Sequence, residues 1–452
     1  MSGQKIVCLG GAGGYFKNLL PRLIACEGLS GSEIILYDLA VDRAEAMARM
    51  GNRLAEEGGA GVTVRTASDV ADATDGVGFA ISAIGGSGEG AGVYGSRVHN
   101  YDIAIPAKYG IHQVVGDTCG PAGMMMGLRS IPIYINFCRE LEKRAPKAIL
   151  LNHSNPMAVL CRAMHKYTNI TAYGICHGVQ GGIRRAAELL ELPPKELECV
   201  WIGTNHYYWI IRLMHNGADV YPELMKRTCE QKAHDGGELC AKLSAVYGYR
   251  VMYASDSHAV EFYPFLSRVR TPEELPYQLK KAVKGRGFEM PAETPPEPES
   301  EEQRAESLKQ LEENLAEVKL PPKKAGGAMG ESVEGIIAAI AAGRRELCIV
   351  NTANAGAVPN LPRDGELELE AVTDSHGARP IQVGDAPPIL KGMLEKRFVW
   401  HELVADAAVK GDRGLALQAL MFDEMAILPE DTEQMLDELL TASKELLPQF
   451  FK

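Results

Sequence analysis

Residues 5–10 form a mostly apolar run that stops at Gly10-Gly11-Ala12-Gly13-Gly14, after which apolar residues return as Leu19, Leu20 and Leu23. A short apolar run closed by glycines reads as a buried strand, and the three- and four-residue spacing beyond it as the core-facing side of a helix. The pattern repeats. An apolar run over 33–37 ends at Asp38, and Ala44, Met47 and Met50 follow on one helical side. Further buried runs lie at 62–66, 78–83 and 148–152, with helical patterns between them. Strands alternating with helices predict an α/β fold built on a Rossmann-type, doubly wound parallel sheet.

The pattern breaks over 270–330, which is rich in Pro, Glu and Lys; residues 293–302 read Glu-Thr-Pro-Pro-Glu-Pro-Glu-Ser-Glu-Glu. So polar a stretch buries too little apolar surface to fold alone, and the expectation is a solvated insertion, either a mobile loop or a lid or subunit contact. A helix over 331–341 and a strand over 347–350 resume the order. The expected division is a Rossmann-like domain over 1–200 and an α+β catalytic and oligomerisation domain over 201–452.

The chain has 452 residues, 46% of them hydrophobic and 23% charged, which suits a globular protein of two lobes. A net charge of -12 argues against a nucleic-acid binder, leaving a small molecule as the expected partner. The start carries no signal-peptide pattern and no apolar stretch reaches the roughly 18 residues of a membrane helix, so a cytoplasmic protein is expected. Ten cysteines without paired spacing fit reduced thiols.

Two constellations carry chemistry. Gly11, Gly13 and Gly14 in a strand-to-helix turn suit a dinucleotide phosphate, although Phe16 stands where a third glycine is usual. Asp38, ~20 residues on, suits ribose hydroxyls and repels a 2′-phosphate, favouring NAD over NADP, with Arg43 keeping NADP open. The second constellation is Cys176 and His177, followed by His206. A thiolate and an imidazole hold a divalent transition ion and leave positions open for substrate hydroxyls, though a neighbouring Cys-His pair also reads as purely structural.

Several segments then identify a relationship. Residues 109–121, ending Gly116-Asp117-Thr118-Cys119-Gly120-Pro121, resemble a signature region of the family 4 glycoside hydrolases. So do Asn152-His153-Ser154-Asn155-Pro156-Met157, Gly174-Ile175-Cys176-His177-Gly178 and Thr204-Asn205-His206, and, in the C-terminal half, residues 350–362 and Gly411-Asp412-Arg413. The resemblance spans nearly the whole chain. It implies a lactate/malate dehydrogenase-like fold, bound NAD and a divalent metal, foremost Mn. The implied reaction differs from that of two-carboxylate glycosidases: oxidation at C3, proton removal at C2, elimination at C1, then water addition and re-reduction.

The resemblance also implies roles. Cys176 and His206 look like the metal ligands, and Asn155 like a binder of a substrate hydroxyl near the nicotinamide. Asp117 looks like an active-site carboxylate, and His177 is suited to the sugar or its leaving oxygen. Asp256 is the candidate base at C2, with Tyr253 and Tyr263 as alternatives; Asp117 and Asp256 also read as plain caps of a helix or turn. Histidine after the cysteine resembles members acting on unphosphorylated α-glycosides, and 256–262 resemble the uronidase branch. That favours an α-galacturonide or α-glucuronide over an α-galactoside, an α-glucoside or a 6-phosphoglycoside, with Arg184, Arg185 or Arg97 as cations for the carboxylate. Relatives of this kind form dimers or tetramers. The rival readings are a 2-hydroxy-acid dehydrogenase and a non-catalytic NAD sensor.

Overall fold

The computed structural model describes residues 3–85, 96–230, 237–251, 256–267, 271–275, 279, 288–291, 300–322 and 332–452. The apolar runs become strands β1 (Lys5–Leu9), β2 (Glu33–Tyr37), β3 (Thr63–Thr66), β4 (Phe79–Ser82), β5 (Ile149–Asn152) and β6 (Thr171–Gly174). They pair in parallel in the order β3-β2-β1-β4-β5-β6. This doubly wound order reverses direction between β1 and β4, and in such sheets the crevice beyond the strands' carboxyl ends at that switch takes the ligand. The glycine turn, the Asn152–Pro156 motif and Cys176 follow β1, β5 and β6 respectively, so chain order alone brings them to that edge.

The C-terminal half extends the same sheet. After β7 (Leu197–Thr204), β8 (Tyr207–His215), β9 (Ala218–Asp219) and β10 (Arg250–Val251) come β11 (Leu347–Ala353), β12 (Glu366–Asp374) and β13 (Gly377–Pro380). Strand β11 runs antiparallel to β6, and β12 and β13 add on antiparallel, closing a sheet of nine strands among the described residues. Strands β7 to β10 form a second, antiparallel sheet. The indole of Trp201 on β7 donates to the Glu368 carbonyl on β12 at 2.8 Å, tying the two sheets.

Helices cover both faces. The helix Gly120–Arg144 is buried without a break over residues 120–131 and packs against Met157–Tyr167 and Pro388–Lys410. Buried charges inside this layer are paired: Arg129 with Asp102, and Arg397 with Asp423 and Glu424. Helix Gly14–Ala25 buries Phe16, Leu19, Leu20 and Leu23, so the aromatic ring in place of a third glycine becomes part of the helix–sheet core.

The polar insertion contains more order than its composition suggests. Helix Glu301–Ala316 begins with a complete capping box at Ser300 and Gln303 and docks on Val41–Gly58. Arg304 pairs with Asp42, Arg49 with Glu312, and Arg53 donates to the Leu315 and Val318 carbonyls. Leu315 is buried and Leu308, Leu311 and Val318 pack partly buried beside it, so a narrow apolar stripe at helical spacing, set among charged residues, docks this segment.

Candidate active site

The turn after β1 is shaped by contacts a side chain would destroy. Gly10 has φ +87°, and a Cβ there would lie 2.6 Å from the Ala83 carbonyl oxygen; one on Gly11 would lie 2.9 Å from Leu36 Cβ. Asp38 accepts from Ala12 N at 3.0 Å and Ala40 N at 2.9 Å. It braces the turn, and each oxygen keeps a lone pair for a further donor. A Cβ on Gly14 would meet nothing within 4 Å, and the helix it opens has no side-chain cap. An open helix N-terminus without a side-chain cap suits a pyrophosphate, so this cradle fits NAD.

The second cluster gathers around the hairpin between β7 and β8. Its two turn residues are Asn205 and His206, and His206 adopts φ +63°, an unusual conformation for a residue with a Cβ. Its Nε2 lies 3.5 Å from Cys176 Sγ, and the Gly178 amide, at the start of helix Gly178–Leu190, donates to the same sulfur at 3.4 Å. On the other side of the ring, Nδ1 lies 3.0 Å from Thr118 Oγ1, whose hydroxyl donates to Asp117 Oδ1 at 2.6 Å. A hydroxyl that gives its proton to a carboxylate must accept from the imidazole, which puts the ring proton on Nδ1 and leaves the Nε2 lone pair facing the sulfur. Burial, with His258 adding to it, pushes the His206 pKa down to about 3, so the ring is neutral. A neutral imidazole and a thiol at this separation fit a divalent transition ion.

Asp117 is shared further. Its Oδ2 accepts from Asn155 Nδ2 at 2.9 Å, and His258 Nε2 lies 3.8 Å from Oδ1. Ligand atoms of Asp117, His206 and His258 all fall within 4.8 Å of one another. His177 is an electrostatic neighbour of His206, His153 and Glu368. Glu368, fully buried on β12, accepts from Asn205 Nδ2 at 3.4 Å, and burial raises its pKa to about 7. His153 meets Tyr15, in the first turn of the helix after the glycine turn, in a tilted ring contact at 4.6 Å, joining the two clusters. Among the described residues, Asn155 Oδ1, Thr204 Oγ1, Asn205 Oδ1 and Glu368 Oε1 are buried without a hydrogen-bond partner. Buried polar atoms left open around one site mark where a hydroxylated ligand or water belongs.

The structure thus brings Cys176, His206, Asp117 and Asn155 together by contact, with His177 beside them. It does not join Asp256 to them. Both Asp256 oxygens accept from backbone amides, Leu239 N at 2.9 Å and Cys240 N at 3.0 Å, at the start of helix Glu238–Tyr247. The expected base is a helix cap here, and the residue of its short helix Asp256–Ala259 that reaches the cluster is His258. Tyr263 is packed among Tyr207, Tyr247 and Phe265, and burial pushes its hydroxyl pKa far up, so it belongs to the core. Tyr253 lies outside the described residues. Arg97 donates to Tyr101 at 2.9 Å, Arg184 is exposed and Arg185 half-buried.

His258, Thr118, Glu368 and Glu261 carry no expected role from sequence. His258 and Thr118 each lie within two residues of a predicted carboxylate, a signal that could have found them. Glu261, buried, accepts from Val115 N at 2.7 Å and Gly116 N at 3.0 Å and so fixes the loop that presents Asp117; nothing in its local sequence announces this.

A nucleotide-type cradle and a thiolate–imidazole pair at one edge of a doubly wound sheet define an α/β enzyme built for a dinucleotide and a metal. Comparison with known proteins makes the assignment specific. The Family 4 glycosyl hydrolase model matches residues 5–192 and the Family 4 glycosyl hydrolase C-terminal domain model matches 201–426. The chain belongs to this family and is a glycosidase. It is 28% identical to an α-galactosidase of Bacillus subtilis (strain 168), covering 99% of this chain and 100% of the relative. It is also 28% identical to an α-galacturonidase of the same strain, over 95% of each. A solved 6-phospho-α-glucosidase from gut microorganisms, in complex with NAD and Mn2+, superposes with a TM-score of 0.76 at 21% identity, covering 99% of this chain and 100% of that one.

Proposed function

We propose that this glycosidase hydrolyses unphosphorylated α-glycosides, preferring an α-galacturonide or α-glucuronide, with NAD and a divalent ion, foremost Mn. The observation that carries the reading is the convergence of Cys176 Sγ and His206 Nε2 at 3.5 Å with Asp117 and Asn155, at the edge that also holds the glycine turn. Bound there, NAD supplies reversible hydride acceptance at C3 of the sugar, and the metal supplies a Lewis acid that acidifies C2.

The chain's own groups account for the rest. Cys176 and His206 hold the ion, with Thr118 fixing the tautomer of His206. Asn155, its amide held by Asp117 and its carbonyl oxygen open, accepts a sugar hydroxyl. His258, paired with Asp117 and with its ring 4.9 Å from that of His206, serves as the proton acceptor, taking the role expected of Asp256. His177 serves the leaving oxygen. Histidine after the cysteine favours an unphosphorylated sugar, and the α-galacturonidase relative supports a uronide.

The test is release of p-nitrophenol from the α-galacturonide, the α-glucuronide, the α-galactoside, the α-glucoside and the 6-phosphates of the last two, with NAD, Mn and a reductant, each omitted in turn. Release that needs both NAD and metal, without net NADH and fastest from a uronide, is the expected result. Fastest release from the galactoside makes the chain an α-galactosidase, and cleavage of 6-phosphoglycosides alone refutes the unphosphorylated reading. Stoichiometric NADH makes it a dehydrogenase.

A further inference from the structure

One charge in the second sheet has nothing to balance it. Arg250, on β10, is 8% exposed. Among the described residues no hydrogen bond or ion pair reaches its guanidinium; only its backbone amide is engaged, donating to Tyr221 Oη at 3.1 Å. Every other deeply buried arginine of the described chain has a carboxylate: Arg129 has Asp102, and Arg397 has Asp423 and Glu424. An isolated buried charge is costly unless it is paired.

The surroundings worsen the imbalance. Besides Cys240, Tyr221 and Cys229, the ionisable group acting on Arg250 is a second cation, Arg185 of helix Gly178–Leu190, which is half-buried and pairs with no carboxylate among the described residues. Burial and Arg185 together hold Arg250 below its usual range. The acids of the elements packed around them are committed or face water. Glu223 pairs with Arg227, Glu238 with Lys242, and Asp256 caps a helix, while Glu188 and Glu230 are exposed.

We propose that Arg250 and Arg185 form a binding site for an oxyanion, a carboxylate or phosphate ester, carried by the substrate. The site rests on the glycosidase reading above and names the group that makes the substrate specific. Its placement follows from register. Arg250 pairs with Ile210, which lies four residues beyond His206, roughly 13 Å along β8 at about 3.3 Å per residue, and Arg250 itself sits one strand spacing of about 4.8 Å to the side. Arg185 lies seven residues beyond Gly178, about 10 Å along a helix that starts beside Cys176. Both arginines thus stand on or beside elements that start at the metal ligands, each an electrostatic neighbour of the other. A uronate carboxylate accepted there gains charge-assisted hydrogen bonds and cancels the like-charge contact.

The experiment compares wild type, Arg250→Gln, Arg250→Lys and Arg185→Gln on p-nitrophenyl α-galacturonide, p-nitrophenyl α-galactoside and its 6-phosphate. It also follows the melting temperature with galacturonate, inorganic phosphate or galactose added. The expected result is that the preference for the anionic over the neutral glycoside falls at least about tenfold in both glutamine variants, through KM, with part of it kept by Arg250→Lys. Stabilisation by galacturonate, absent with galactose, is lost in parallel. Stabilisation by phosphate with preference for the 6-phosphate identifies the other oxyanion and keeps the site. Should Arg250→Gln fail to fold, Arg185→Gln at its half-exposed position carries the comparison. Unchanged selectivity and unchanged anion stabilisation in the glutamine variants overturn the proposal. If wild type cleaves no glycoside, the functional reading fails, while the melting shifts still decide whether the pair binds an oxyanion.

Discussion

Replacing Glu368 by glutamine tests the electrostatics of the site floor directly. Burial raises its carboxyl pKa from 4.5 to about 7. At about 1.4 kcal/mol per pH unit this perturbation is worth about 3 kcal/mol, with no discount for solvent because the side chain is fully buried. The sign follows from proton counting. Below about pH 4.5 the folded and unfolded carboxyls are both protonated, and the folded state keeps its full stability. Between about 4.5 and 7 the unfolded chain has released a proton that the folded one still holds, so stability falls as pH rises, reaching its full loss just above 7. Glutamine is isosteric with the protonated form and cannot ionise. Urea denaturation of metal-free wild type and Glu368→Gln from pH 5 to 8.5 is therefore expected to show a variant more stable by about 1 kcal/mol or less at pH 5 and by about 3 kcal/mol at pH 8. His165, raised to about 9 by Glu366, contributes its own stability below about 6.5 and loses it as pH rises through 9; it does so in both proteins and cancels in the difference. Parallel curves with a constant offset would refute the reasoning, because they would mean that Glu368 ionises in the folded protein at an ordinary pH.

Three further outcomes are expected. Thr118→Val removes the hydroxyl that orients His206 while leaving both proposed metal ligands in place, so Mn binding by calorimetry should weaken about 10–100-fold; unchanged affinity would show that the tautomer is set elsewhere. Asp38→Ala takes away an acceptor for Ala12 N and the ribose carboxylate together, and NAD affinity by fluorescence titration should fall at least about tenfold, whereas an unaltered Kd would leave Asp38 as a turn brace alone. Asp256→Asn keeps one acceptor for the helix it caps, so a loss of roughly 1–2 kcal/mol in stability with turnover largely retained is expected. A loss of turnover of about 1,000-fold with normal stability would return the base to Asp256.

How far the chain could be read in advance follows from which forces are local. The parallel strands announced themselves because a strand buried on both faces is an uninterrupted apolar run, and the doubly wound α/β class followed from their alternation with helices. Cys176, Asp117 and Asn155 stood in segments resembling one family, and the sheet places those segments at a shared edge. Interactions made at long range left no such trace. Glu261 reaches back to amides 145 and 146 residues earlier, and Arg53 meets carbonyls more than 260 residues later; neither contact alters the hydrophobic pattern around the residue that makes it. Asp256 shows the sharper case. An acidic residue beside Ser and His in a family-like segment has the composition of a base, yet the amides at the start of helix Glu238–Tyr247 need an acceptor just as a substrate proton does. Only the direction of the side chain separates these roles, and that direction is set by where the preceding helix begins. His258, two residues on and within one turn of the same short helix, lies against Asp117 instead, and the proposed base moves with that contact.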